Sequence, residues 1–162
     1  MRRKDREVTD EAVIRAILDK AQVLHLAMID GDRPYVVPLH YGYILADGRL
    51  TLYLHSAKEG RKLDALLRNN RVTFVLETDV STISGGDVPC KYGAAYASLM
   101  GEGRATLLTD PTEKAKGLAT LMRTQTGRTF FVTEAMAEIV AVIRVDAETF
   151  SAKSRPWTGS VL

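Results

Sequence analysis

Cysteine is nearly absent: Cys90 is the only one in 162 residues. An internal disulfide is therefore excluded, and a reducing compartment fits. Aromatic residues are scarce at 7%, with a single tryptophan. No apolar run approaches the ~20 residues that span a bilayer, so no membrane-crossing helix is expected. Charge of either sign is nearly balanced, 22 basic against 20 acidic residues, or +2 formally. That excess is too small to point to nucleic acid. The basic start, Met1-Arg2-Arg3-Lys4-Asp5-Arg6, is broken by acids and has no apolar segment behind it. A signal peptide is not expected, and a cytoplasmic protein is the default. The three histidines, His25, His40 and His55, share no metal-ligand spacing with each other or with Cys90, so no metal site is expected. A heme held by one histidine stays open on these grounds.

What is present is a chain of a length that suits one domain, with 46% apolar residues to build its core. Thr9 or Asp10 can cap a helix whose stripe is Val13, Ile14, Ile17, Leu18 and Ala21. Strands are expected over Val23 to Ile29, Tyr35 to Ile44 and Leu50 to His55, joined by the turns at Asp30–Pro34 and Asp47-Gly48. A helix from about Gly60 to Arg68 ends at Asn69-Asn70, and a strand runs from Arg71 to Thr78. Ser84 to Pro89 reads as a flexible loop. Ala95 to Leu108 is a long strand in which Gly101 and Gly103 suggest a bend or bulge. Asp110-Pro111 opens another helix. Ile139 to Val145 and Thr149 to Lys153 close the pattern as two strands. Hairpin-linked strands without helical crossovers between the first three argue for an antiparallel sheet. About six of them favour closure into a barrel, which removes exposed edges.

The stretch "HSAKEGRK", residues 55–62, joins a strand to a helix. Period-two alternation puts Leu50, Leu52 and Leu54 on one face and Thr51, Tyr53 and His55 on the other. Ser56, Gly60, Arg61 and Lys62 gather at the helix start, where free N–H groups and a positive end suit a phosphate. The plain alternative is a capped turn with solvated charges. The glycine spacing is not that of a Walker loop, and Ser56 beside His55 makes no triad. In "PYVVPLHYGY", residues 34–43, Pro38 cannot donate to a ladder and belongs at an edge or bulge, where backbone groups are free for a ligand. Gly42 permits a close approach. Tyr35, Val37, Leu39, Tyr41 and Tyr43 share one face, which is ordinarily core. Cys90 reads as a free thiol, and Glu77 and Asp79 as solvated acids.

Together, "MRRKDREVTD", "LAMIDGDRPYVVPLHYGY", "LYLHSAKEGRKLDALLRNNRVTF" and "YASLMGEGRA" resemble the nitroimidazole-resistance proteins. These lie within the flavin-binding split barrels similar to pyridoxamine 5′-phosphate oxidase. The likeness runs from Met1 to about Leu121 in order and spacing. It implies a mainly β fold: a six-stranded antiparallel split barrel with Greek-key topology, flanked by short helices. It implies a homodimer with FMN at the interface (FAD, deazaflavin or heme being the alternatives). It further implies an oxidoreductase moving electrons from NAD(P)H or another donor to a nitro-aromatic or other small acceptor. The non-enzymatic alternative is a flavin- or heme-binding module for storage or sensing. Residue by residue, Val37, Pro38, Leu39 and His40 resemble the strand along the isoalloxazine, and His55, Ser56 and Ala57 the strand beside the ribityl chain. After Gly60, Lys62 together with Arg61 resembles the phosphate-binding basic residue, and Ser98 resembles the strand residue that reaches the site. His55 is the candidate proton donor, or else a positioning contact. Arg155 to Trp157 is a tail that can reach across such a dimer. No arginine–histidine pair near the C-terminus matches the vitamin oxidase's substrate residues, so that activity is not expected.

Overall fold

The computed structural model describes residues 3–156. Among these residues seven strands form one antiparallel sheet: β1 (Glu7–Val8), β2 (Val23–Asp30), β3 (Arg33–Ala46), β4 (Arg49–Ser56), β5 (Arg71–Ile83), β6 (Gly93–Leu107) and β7 (Ala141–Arg155). The order is β1-β7-β4-β3-β2-β5-β6, and β6 pairs back onto β7. Strands β2 to β7 thus close a ring of six, and β1 pairs with β7 beyond it at Lys153 and Ala152. The meander β2-β3-β4 is followed by β5 beside β2, which is a Greek-key return. This is the split barrel. Among the described residues no helix is long and apolar enough to cross a membrane.

The barrel closes because every strand turns its alternate apolar residues inward. Leu24, Leu26, Leu52, Leu54, Phe74, Leu76, Leu99, Ile143 and Val145 are all fully buried. Among the described residues the α-helices are α1 (Glu11–Lys20), α2 (Arg61–Arg68), α3 (Pro111–Thr126) and α4 (Glu134–Ala137). Asp10 caps α1 through Ala12 N–H, and α1 sets Ile14, Ile17 and Leu18 against the core. Asp110 caps α3 from Glu113 N–H, with Pro111 at its first turn and Gly127 ending it in a left-handed conformation.

Two expectations change. The two closing strands are one: β7 runs unbroken from Ala141 to Arg155, pairing β4 with its first half and β6 along most of its length. The polar Asp146-Ala147-Glu148 stretch looks like a break in sequence but is a bulge, since Glu102 faces Thr149 and Gly103 faces Ala147. Gly101 and Gly103 have no room for a side chain there: a Cβ would lie 2.5 Å from Thr149 O and 2.2 Å from Asp146 O, respectively. Strand β5 also runs past Thr78 to Ile83, through an irregularity at which Asp79 takes a positive φ and pairs with Lys20.

Helix α3 lies against the outside of β3 and β4, and Gly42 is its seat. A Cβ on Gly42 would stand 2.4 Å from both Cα and N of Leu121. Those are backbone atoms and cannot swing away. Gly117, on the helix, faces the Tyr53 ring, where a Cβ would come to 2.8 Å. Gly42→Ala should therefore cost about 1–3 kcal/mol through overpacking. Gly117→Ala should cost less, because a side chain can yield. Urea denaturation of the two variants gives the comparison, with the Gly42 variant the less stable.

Candidate functional site

Strand β3 has two unlike halves. Tyr41 to Ala46 pair with β4, whereas Arg33 to His40 pair with β2 alone. Beyond Tyr41 the chain of β4 turns off at Ser56 toward α2. The two strands therefore diverge as a fork. Among the described residues no strand meets the free edge of Arg33–His40, a stretch that holds Pro34 and Pro38, the two residues with no N–H to offer.

His40 and His55 stand at this fork, and Lys62 enters it from the first turn of α2. Partial burial, then the Lys62 ammonium, then His40 hold the His55 imidazole below its ordinary value, so it is neutral at pH 7. Burial likewise lowers Lys62. Lys62 has no ion-pair partner among the described residues. The start of α2 is open too. Gly60 precedes the helix with φ 125° and no side-chain cap, and a Cβ there would meet nothing within 4 Å. A half-buried cation without a counter-ion, beside uncapped helical N–H groups and an open cradle, suits a phosphate group.

Arg61 is differently employed. Its Nε lies 2.6 Å from Asp30 Oδ2, and Arg68 holds the other oxygen of that carboxylate. Its guanidinium also stacks 4.2 Å from the Tyr35 ring centroid. Arg61 foremost, with Arg68, keeps Asp30 below the usual carboxylate range. The structure thus separates two adjacent basic residues: Arg61 ties α2 to the end of β2, and Lys62 is left for the fork.

The remaining candidate residues divide. Pro38 and His40 point outward, and Ala57 lies exposed in the turn. Val37 and Leu39 pack against the core, so only their main chain reaches the free edge. Ser56 Oγ donates to the neighbouring Ala57 carbonyl at 2.9 Å. Ser98 faces outward but pairs with Glu77 and Lys153, separated from the fork by β7 on one side and by β5 and β2 on the other. Gly42 does allow a close approach, and what approaches is helix α3. Tyr53 shares a face with His55 but is covered by that helix. Of the tail, Trp157 lies outside the described residues. No cluster of metal-ligating side chains occurs among the described residues. Gln125, near the end of α3, was not legible: nothing marks a helical glutamine, yet its amide reaches both His40 and the Tyr41 carbonyl.

The comparisons agree with this architecture. The family model for pyridoxamine 5′-phosphate oxidase matches residues 10–154. This chain belongs to that family. A candidate 5-nitroimidazole antibiotic resistance protein from Bacteroides thetaiotaomicron is 30% identical, over 91% of this chain and 85% of its own, with a TM-score of 0.75. The flavocytochrome Anf3 from Azotobacter vinelandii is 22% identical over 97% of this chain and 72% of its own, at TM-score 0.75. An FAD- and heme-binding protein from Mycobacterium smegmatis is 15% identical over 96% of this chain and 77% of its own, at TM-score 0.76. The last two share the fold alone. No curated protein matches the sequence.

If Lys62 and His55 are electrostatic neighbours, removing the ammonium relieves the imidazole. In an NMR pH titration, His55 should have a midpoint below about 6.5. Lys62→Met should move that midpoint upward. An unmoved midpoint would place the two groups apart.

Proposed function

We propose that the fork binds FMN and that the protein is an FMN-dependent oxidoreductase acting on small acceptors, with nitro-aromatics as the leading class. The observation that carries this reading is Lys62: partly buried, without a counter-ion among the described residues, at an uncapped helix start beside an unpaired strand edge. Desolvating an ammonium without a partner is costly, and an anionic ligand supplies the missing half. Family membership and the 30% identity to the Bacteroides protein support the cofactor and acceptor class.

When bound, the flavin would supply hydride and single-electron chemistry. The protein's own work is binding, orientation and control of water. Lys62 and the first N–H groups of α2 would hold the phosphate. The free main-chain edge of Val37–His40 would lie along the ring, with N–H and C=O groups to meet its polar rim. His55, neutral at pH 7, can hold or release a proton at the mouth of the fork, or hold the cofactor in place. Hydride would come from NAD(P)H or another donor.

A homodimer is part of the same proposal. Beyond the part of β3 that α3 covers, the outer face of β2, β5, β6 and the first half of β3 carries Val23, Val36, Val75 and Met100, of which Val36 is 54% and Met100 47% exposed. Such a face is suited to a second copy. It would bring Ser98, remote from its own fork, toward the partner's.

Lys62→Ala should weaken FMN by about 1.5–3 kcal/mol, the loss of one charge-assisted contact. Riboflavin, which has no phosphate, should bind both proteins alike. Fluorescence titration of the apoprotein checks this, and equal FMN affinities would remove Lys62 from the site. Arg61→Ala should affect FMN less, because Asp30 already holds that guanidinium.

Light scattering should give twice the chain mass. A monomer that still binds FMN would contradict the shared interface. The absorbance of the purified protein separates a flavin from the heme alternative, which would show a Soret band.

A further inference from the structure

Gln125 holds three hydrogen-bond partners at once. Its Nε2 donates to Tyr41 O at 2.8 Å and to Gln22 O at 3.2 Å. Its Oε1 lies 2.9 Å from His40 Nδ1. Side-chain amides ordinarily leave their orientation ambiguous, because oxygen and nitrogen can be exchanged. Here the two carbonyls remove the ambiguity. Both are acceptors only, so the NH₂ end must face them, and a flipped amide would set oxygen against oxygen twice. The oxygen is therefore committed to His40. An oxygen acceptor needs a donor opposite it, so His40 Nδ1 carries a hydrogen.

The consequence lies on the other side of the ring. A neutral imidazole with hydrogen on Nδ1 has a bare lone pair on Nε2. His40 is exposed at the fork, and its Nε2 has no hydrogen-bond partner among the described residues. We infer that Gln125 locks His40 into the Nδ1–H form, and that His40 Nε2 is a fixed acceptor for an N–H or O–H group of the molecule bound in the fork. Gln125 is a positioning residue, and His40 is the residue that meets the ligand.

The lock is built into the barrel. The NH₂ end of Gln125 is held by main-chain carbonyls alone, and α3 is seated at Gly42 one turn earlier. Tyr43 N–H also donates to Thr124 Oγ1 at 3.3 Å. The amide thus moves with the backbone of β3. Its neighbour His55 has no such partner among the described residues, so two histidines at one site have different duties. A ligand edge that donates is favoured at His40, and one that only accepts is disfavoured while the ring is neutral.

The ligand role rests on the proposed flavin site, whereas the tautomer does not. Nitrogen-15 imidazole spectra of the whole protein without ligand, at ~pH 8 where histidine is neutral, should show His40 protonated on Nδ1 and bare on Nε2. A His40 protonated on Nε2, or averaged between forms, overturns the inference. Gln125→Met should release the ring to averaging, and an unchanged tautomer removes Gln125 from its role. Should that variant fail to fold, the wild-type spectrum still decides.

FMN is then added to the wild-type protein. A shift at His40 Nε2 with Nδ1 unmoved supports the acceptor role. FMN that perturbs His55 and not His40 overturns that role and leaves the flavin site standing. FMN that perturbs neither histidine overturns the site itself, and the acceptor role with it.

Discussion

Helix α3 can reach the barrel only because residue 42 has no side chain. The approach is backbone against backbone, at a separation no Cβ would tolerate. From that contact much of the site follows. It covers the outer faces of Tyr53 and Val142, so this side of the barrel is closed. It brings Thr124 and Gln125 onto the main chain of β3 at the point where β4 leaves it. The uncovered remainder of the outer wall leaves Val23, Val36 and Met100 exposed. One glycine thus divides the barrel's surface into a helix-covered half and an open half, with the fork between them.

Charge is distributed with similar economy at the start of α2. Two cations adjacent in sequence would repel each other and compete for any anion. Asp30 resolves this by engaging Arg61 and Arg68 from the end of β2. These pairs are exposed on the arginine side, so their contribution to stability is small. Their structural effect is larger, because they fix the helix start and leave Lys62 as the cation at the fork. His55, whose protonation partial burial already disfavours, then also sits in the positive field of Lys62.

The sequence carried much of the fold. Leu50, Leu52 and Leu54 alternate strictly enough to place His55 outward, and the capping residues Asp10 and Asp110 mark their helices. Local pattern could not reveal long-range partners. Arg61 and Lys62 look interchangeable until Asp30, 31 residues away, is found beside one of them. Gln125 acts 85 residues from His40, with no spacing rule to announce it. Gly42 looked like room for a ligand, and the occupant proved to be a helix. The break expected between two closing strands was a bulge, which costs one unpaired residue and leaves the strand intact. Each miss concerns a contact between distant segments, which pattern alone does not encode.

In the proposed complex the free edge of β3 and the start of α2 act as one ligand site. Hydrogen exchange reads this directly, because main-chain groups without strand partners exchange from low-energy openings. FMN should slow exchange in residues 33–40 and 56–63 together, while the cleft between α1 and α3, lined by Arg15, Asp19 and Arg123, stays unchanged. Protection confined to the α1–α3 cleft, or absent from the β3 edge, would contradict the account.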